Sequence, residues 1–196
     1  MSFKNIFLST TLLAISFSSY AEETASENTG FFIGGFAGQT KSTLEGYKET
    51  VNSYGVYGGY NFTPMFGLEG SFFTTSSYSK YDSNLRAAGS GGLTFTPKIT
   101  FAINDAVSLY LKAGVAALVY VEEYKYANYS NYYDRNAAWE GIGSTFGVGA
   151  EFRIVNGLKL RISYDQYRAV VADDNDYYSD LHMKLSQGSV GLHYQF

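Results

Sequence analysis

The sequence has no cysteine, two prolines, and 14 Lys and Arg against 18 Asp and Glu in 196 residues. Without cysteine there is no disulfide, no thiolate metal site and no thiol nucleophile. A formal charge of −4 gives no basic patch of the kind that holds nucleic acid. Past residue 21 no window of about 18 apolar residues exists, so a membrane-spanning helix is excluded.

Several features are abundant. Lys4 is a positive start, Ile6 to Phe17 form a short apolar stretch, and Ser19-Tyr20-Ala21 puts small residues at the two positions a signal peptidase reads. Glu22 and Glu23 follow. Residues 1–21 read as a cleaved secretory signal peptide, the apolar run being too short for an anchor. Removing it leaves 175 residues with a formal charge of −5, enough for one domain. Residues 22–29 read as an N-terminal periplasmic segment and 30–196 as the domain itself. Its 19 Tyr, 15 Phe and 21 Gly favour strands and tight approach of backbones.

From Gly30 onward, alternating segments recur at about 30–40, 51–62, 66–76, 91–103, 107–121, 139–154, 158–170 and 184–196. Thr63-Pro64-Met65, Asn104-Asp105-Ala106 and Val155-Asn156-Gly157 are tight turns. The other four connections read as polar loops of roughly 10 to 17 residues. Short turns at one end and long loops at the other is the pattern of an outer-membrane barrel.

The two faces of each strand differ in kind. Leu158, Leu160, Ile162 and Tyr164 oppose Lys159, Arg161, Ser163 and Asp165. Leu109, Leu111, Ala113 and Val115 oppose Tyr110, Lys112 and Gly114, and Gly143, Thr145, Gly147, Gly149 and Glu151 share one face. A charged, small-residue face suits a narrow lumen, and an uncharged apolar face suits lipid. The expected fold is all-β: an eight-stranded antiparallel up-and-down transmembrane β-barrel, with both termini periplasmic. Tyr54, Tyr60, Phe62, Phe66, Phe101, Tyr164, Tyr194 and Phe196 would form its aromatic girdles. Pro97, inside the fourth strand, predicts a bulge or weakened pairing.

The stretches GFFIGGFAGQT, YGVYGGYNF, FGLEGSFF, GAEFRIVNGLKLRISYDQY and GSVGLHYQF, in this order, resemble the OmpA/OmpX-type small outer-membrane barrels over about Gly30 to Phe196. The resemblance implies a Gram-negative outer-membrane location. It also implies a C-terminal signal, Leu192, Tyr194 and Phe196, read by the barrel-assembly machinery. No peptidoglycan-binding domain follows Phe196, so cell-wall tethering is not among the expected roles.

Glu69, Lys98, Lys112, Glu151, Arg161 and His193 all lie three to five residues from the periplasmic ends of their strands and face inward. Charges held in so narrow a lumen must pair. In the resembled family a Glu, Lys, Glu and Arg set plugs the lumen and has been proposed as a partner-swapping gate. By that resemblance Glu69, Lys98, Glu151 and Arg161 take those positions, with Lys112 beside them. A static plug and a conducting gate both fit. A plugged lumen admits no substrate, so no catalytic residue, cofactor or metal is expected. Asp173-Asp174-Asn175-Asp176 reads as a solvated acidic loop, with a divalent cation held by its hard oxygens as the alternative.

The connection 122–138 holds Tyr124, Tyr126, Tyr129, Tyr132 and Tyr133. Tyrosine among Asn and Ser suits a binding surface, because it offers large contact area at low entropic cost. A strand extended past the membrane, with packed tyrosines, fits equally. The leading expectation is a monomeric surface protein that acts through its loops on a host or matrix macromolecule, with a small pore as the alternative. Outer-membrane lipid and lipopolysaccharide are the expected surroundings.

Overall fold

The computed structural model describes residues 28–44, 47–77, 85–128, 131–173 and 181–196, with side chains for 28–43, 48–77, 88–122, 138–172 and 182–196. The expected signal peptide and residues 22–27 lie outside the described residues. Among the described residues there are eight strands: β1 (Gly30–Leu44), β2 (Tyr47–Asn61), β3 (Phe66–Thr75), β4 (Leu85–Ala102), β5 (Val107–Asn128), β6 (Asn131–Val155), β7 (Leu158–Asp173) and β8 (Leu181–Gln195). Each pairs antiparallel with the next, and β8 returns to β1 through pairs from Phe32↔Gln195 to Leu44↔Met183, which closes the barrel.

Local side-chain bonds make the short turns. Thr63 Oγ1 accepts from the backbone N–H of Met65 and Phe66 at 3.2 and 2.9 Å. Asn104 Oδ1 accepts from Ala106 and Val107, both at 2.9 Å. Such side chains substitute for a backbone turn bond. The two-residue β6–β7 turn needs left-handed backbone at Gly157, with φ 79°, a conformation that costs a side-chain-bearing residue energy.

At the opposite end the strands run past their expected limits. Two residues separate β1 from β2 and β5 from β6, where long loops were expected. The sequence turns polar there because the solvent changes from lipid to water. Alternation and backbone pairing continue, down to Asn128↔Asn131 in the β5–β6 ladder.

Outward side chains include Leu93, Phe95, Ile103, Phe146 and Val190, all more than half exposed, and Ile142, 80% exposed. All eight expected girdle aromatics, from Tyr54 to Phe196, are exposed. A water-soluble protein does not present so continuous an apolar surface. The belt is uneven in height. Its outward apolar run stops at Tyr164 on β7, Val190 on β8, Ala37 on β1 and Tyr54 on β2, yet continues on β5 to Val121. At Pro97 the β4–β5 ladder passes from Phe95↔Val115 to Lys98↔Lys112 without a change of register. The expected irregularity is therefore a gap in pairing, not a bulge.

Glycine sets the room inside. Gly149 faces Tyr110, and Gly147 faces Lys112, across the β5–β6 ladder. A Cβ on Gly149 would collide with the Tyr110 phenol, and one on Gly147 with the Lys112 stem and Asp165. Nothing stands near the Cβ position of Gly188. Gly149→Val should therefore destabilise the barrel by about 1–3 kcal/mol, read as a lower urea midpoint for protein folded into vesicles. Gly188→Val should leave the midpoint within error. Equal effects of the two would refute the packing account.

Candidate functional site

The inward faces of β3 to β8 place their charges in one section of the lumen. Arg161 crosses the lumen from β7 to β3, where its Nη1 and Nη2 donate to Glu69 Oε2 and Oε1 at 2.6 and 3.1 Å. Its Nε donates to the Tyr110 hydroxyl at 2.6 Å. The guanidinium lies between two rings, 4.4 Å from the centroid of Tyr57 and 4.2 Å from that of Tyr110. Bidentate pairing and stacking both exploit the planar fork of arginine. Lys112 Nζ donates to Glu69 Oε1 at 2.9 Å and pairs with Asp165 Oδ1 at 3.0 Å. Lys98 Nζ donates to Glu151 Oε1 at 3.2 Å and sits 4.4 Å from the centre of the Phe32 ring. Lys159, nearer the periplasm, stands 3.9 Å from Glu151 Oε2 and donates to Asn28 Oδ1 at 3.1 Å.

Three carboxylates thus meet three cations at the centre. Lys98 and Lys112 stand directly opposite each other in the β4–β5 ladder. Like charges in that relation repel. Here each ammonium is held by its own carboxylate, on β6 for Lys98 and on β3 and β7 for Lys112. Every member of the network is buried.

Glu69, Lys98, Lys112, Glu151 and Arg161, named from the sequence, all take part in these contacts. Asp165, Tyr57, Tyr110 and Lys159 join them, and they were not singled out. Their parity was visible: Asp165 shares a face with Arg161, and Tyr110 shares one with Lys112. His193 adjoins the set, its Nδ1 lying 3.1 Å from the Tyr57 hydroxyl.

Towards the extracellular end the lumen is apolar, against the expectation of a small and charged inner face. Leu118, Tyr120, Trp139, Val171, Met183 and Leu185 are buried there, in one cluster with Phe73 and Tyr167. Phe73 stacks on Tyr167 with centroids 4.7 Å apart, and Tyr167 donates to Gln187 Oε1 at 3.0 Å. Between this layer and the charges lies a cavity of about 10 Å³, lined by Tyr57, Glu69, Lys112, Arg161, Asp165 and Tyr167 among others. That is room for about one water.

The candidate tyrosines that are described fall elsewhere. Tyr124, Tyr126, Tyr132 and Tyr133 lie on the β5–β6 ladder, not in a loop, with Tyr126↔Tyr133 a cross-strand pair. Their side chains, and Tyr129 altogether, lie outside the described residues, as does the acidic run 174–176. The C-terminal Leu192, Tyr194 and Phe196 are exposed on the outer face, Tyr194 and Phe196 meeting edge to face at 5.1 Å.

A closed barrel, apolar outside and plugged by charge within, defines an integral membrane β-barrel. Residues 9–196 match the family described as outer membrane protein beta-barrel domain, and the chain belongs to that family. No curated protein matches the chain. Among solved structures, it is similar to Neisserial surface protein A (14% identity, TM-score 0.66, covering 89% of this chain and 100% of that one). It is also similar to Ail, the attachment invasion locus protein of Yersinia pestis, in complex with the heparin analogue sucrose octasulfate (19% identity, TM-score 0.56, 86% and 99%). OprG from Pseudomonas aeruginosa shares the fold at 13% identity, with TM-score 0.52 and coverage of 86% and 97%.

Glu69 joins Arg161 to Lys112, so its removal leaves Arg161 short of a buried counter-charge. Glu69→Gln should cost about 3–5 kcal/mol of unfolding free energy, measured by urea titration in vesicles. Glu69→Gln with Arg161→Met should recover part of that loss, since Lys112 retains Asp165. A single variant as stable as the native protein would refute the network's structural role.

Proposed function

We propose that this chain is an exported outer-membrane surface protein whose β5–β6 hairpin binds a macromolecule outside the cell, without catalysis. The observation that carries this is the length of the hairpin. Pairing continues seven residues past Val121, the last outward apolar side chain described on β5, to Asn128↔Asn131. At about 3.3 Å per residue that is roughly 23 Å of ladder beyond the apolar belt. The segment so raised carries Tyr124, Tyr126, Tyr129, Tyr132 and Tyr133. A lumen filled by the charge network and the apolar layer supports the outer end as the surface on which a function acts. The likeness to Ail supports the reading to the extent that a protein named for attachment shares this fold. In this reading the chain is exported by a signal peptide ending at Ala21. It is assembled through Leu192, Tyr194 and Phe196 by the barrel-assembly machinery, and it works as a monomer.

The test is attachment. Expressed in a non-adherent bacterial host, the protein should confer binding to animal cells or matrix proteins, and deletion of residues 123–137 should abolish it while the barrel still folds. A surface-exposed native barrel that binds nothing would sink the reading.

One observation favours a gated pore as the second reading. Arg161 stands opposite Glu151 in the β6–β7 register yet bonds to Glu69 on β3, so a second carboxylate lies beside it for an exchanged state. Planar-bilayer recordings decide. Conductance steps that change with Arg161→Ala would support a gate, and a silent native protein would eliminate it.

A further inference from the structure

β7, β8, β1 and β2 turn a row of basic side chains outward above the apolar belt. Arg168, Lys184, Lys41 and Lys48 are all exposed. Arg168 stands directly opposite Lys184, Lys184 opposite Thr43, and Thr43 opposite Lys48. Three cations therefore lie on one line across the sheet, and Lys41 is two positions below Thr43 on the same face. With strands about 4.8 Å apart, the four fall within an arc of about 15 Å.

Among the described side chains, the outward faces of these four strands carry no carboxylate. That is unexpected in a protein of formal charge −4. The lumen shows what such an arrangement requires. Lys98 and Lys112, also directly opposed, are compensated by Glu151, Glu69 and Asp165. Arg168 and Lys184 repel in the same way, and no described carboxylate on the outer face of these strands compensates them.

The height of the row identifies the medium. Arg168 is ten residues beyond the start of β7, Lys184 and Lys41 are eleven from the periplasmic ends of β8 and β1, and Lys48 is thirteen from that of β2. On strands tilted by about 40°, at about 3.3 Å per residue, they stand roughly 25–33 Å above the periplasmic rim. The apolar band of such barrels is about 25 Å tall. The row therefore begins where hydrocarbon gives way to headgroups. On this side the continuous belt is low, ending at Tyr164, Val190, Ala37 and Tyr54, with Gln166, Ser186, Gln39 and Asn52 above it and the exposed Val170 returning only beyond Arg168. The cations point sideways into the leaflet, towards lipid.

We propose that Arg168, Lys184, Lys41 and Lys48 dock the phosphate groups of the outer-leaflet glycolipid, lipopolysaccharide. The cations complement clustered phosphates, whose attraction for Lys and Arg near a membrane surface is substantial. This surface is separate from the β5–β6 hairpin and does not depend on its role.

The mature barrel, folded in neutral detergent, is titrated calorimetrically with lipopolysaccharide, with its dephosphorylated form and with heparin. Native protein should bind lipopolysaccharide. The triple variant Arg168→Gln, Lys184→Gln, Lys41→Gln should bind on the order of a hundredfold more weakly. A charge-preserving triple, Arg168→Lys, Lys184→Arg, Lys41→Arg, should bind as the native protein does. Dephosphorylated glycolipid should bind native protein as weakly as the glutamine triple binds the phosphorylated form. Heat-modifiable gel mobility verifies folding. Should the triple not fold, Lys41→Gln and Lys184→Gln singly should each weaken binding about fivefold. Equal binding by native and folded variant protein, or equal binding of phosphorylated and dephosphorylated glycolipid, overturns the proposal. So does binding of heparin without binding of lipopolysaccharide, which would make the row a site for a soluble polyanion.

Discussion

A sheet standing in hydrocarbon can leave no backbone amide or carbonyl unpaired, because lipid offers no substitute for water and each orphan group costs several kcal/mol. Closure of β8 onto β1 is the response, and the rest of the molecule follows from it. Eight strands curl tightly enough that the inner wall has little volume. Glycines at 147 and 149 make room for Lys112 and Tyr110, and aromatic rings fill what remains. The usual arrangement is inverted: apolar side chains meet the solvent, and polar ones meet each other.

That inversion places strict demands on the interior. A charge in the lumen has neither bulk water nor hydrocarbon to relax into, so it needs a partner of opposite sign at bonding distance. Glu69 provides this for two cations at once, from the strand diametrically opposite Arg161. The contact acts as a strut across the barrel as well as an ion pair. Beyond it the wall changes to Leu118, Val171, Met183 and Leu185, an apolar layer on the extracellular side of the network.

Much of this could be read in the residues. Parity divided lipid face from lumen face correctly on every strand for which it was assigned, because the period of two is a property of the backbone and tolerates no slip. Distance from a turn placed Glu69, Lys98, Lys112, Glu151 and Arg161 at one depth. The choice of partners was not legible. Arg161 passes over its cross-strand neighbour Glu151 to reach Glu69, and that depends on lumen width and on Tyr57 and Tyr110 flanking the guanidinium. The ends of the strands were also misjudged, since polarity was taken to end a strand when it marked only the waterline. The apolar cap was overlooked for the same reason. Leu118 and Tyr120 continue the parity of Lys112, but beyond the stretch where the inner face was being followed.

The β1–β8 ladder has a meaning for how the barrel comes into being. Every other ladder is a hairpin, joining residues close in sequence, and can form as soon as its two strands exist. The eighth joins Phe32 to Gln195, so its loop-closure entropy is set by nearly the whole domain. Until it forms, the chain is an open sheet with two adhesive edges, lipid-loving on one side and charged on the other. That species is prone to pair with copies of itself. The seam between first and last strands is therefore the pairing with the largest closure cost in the molecule, and the one that removes both adhesive edges at once.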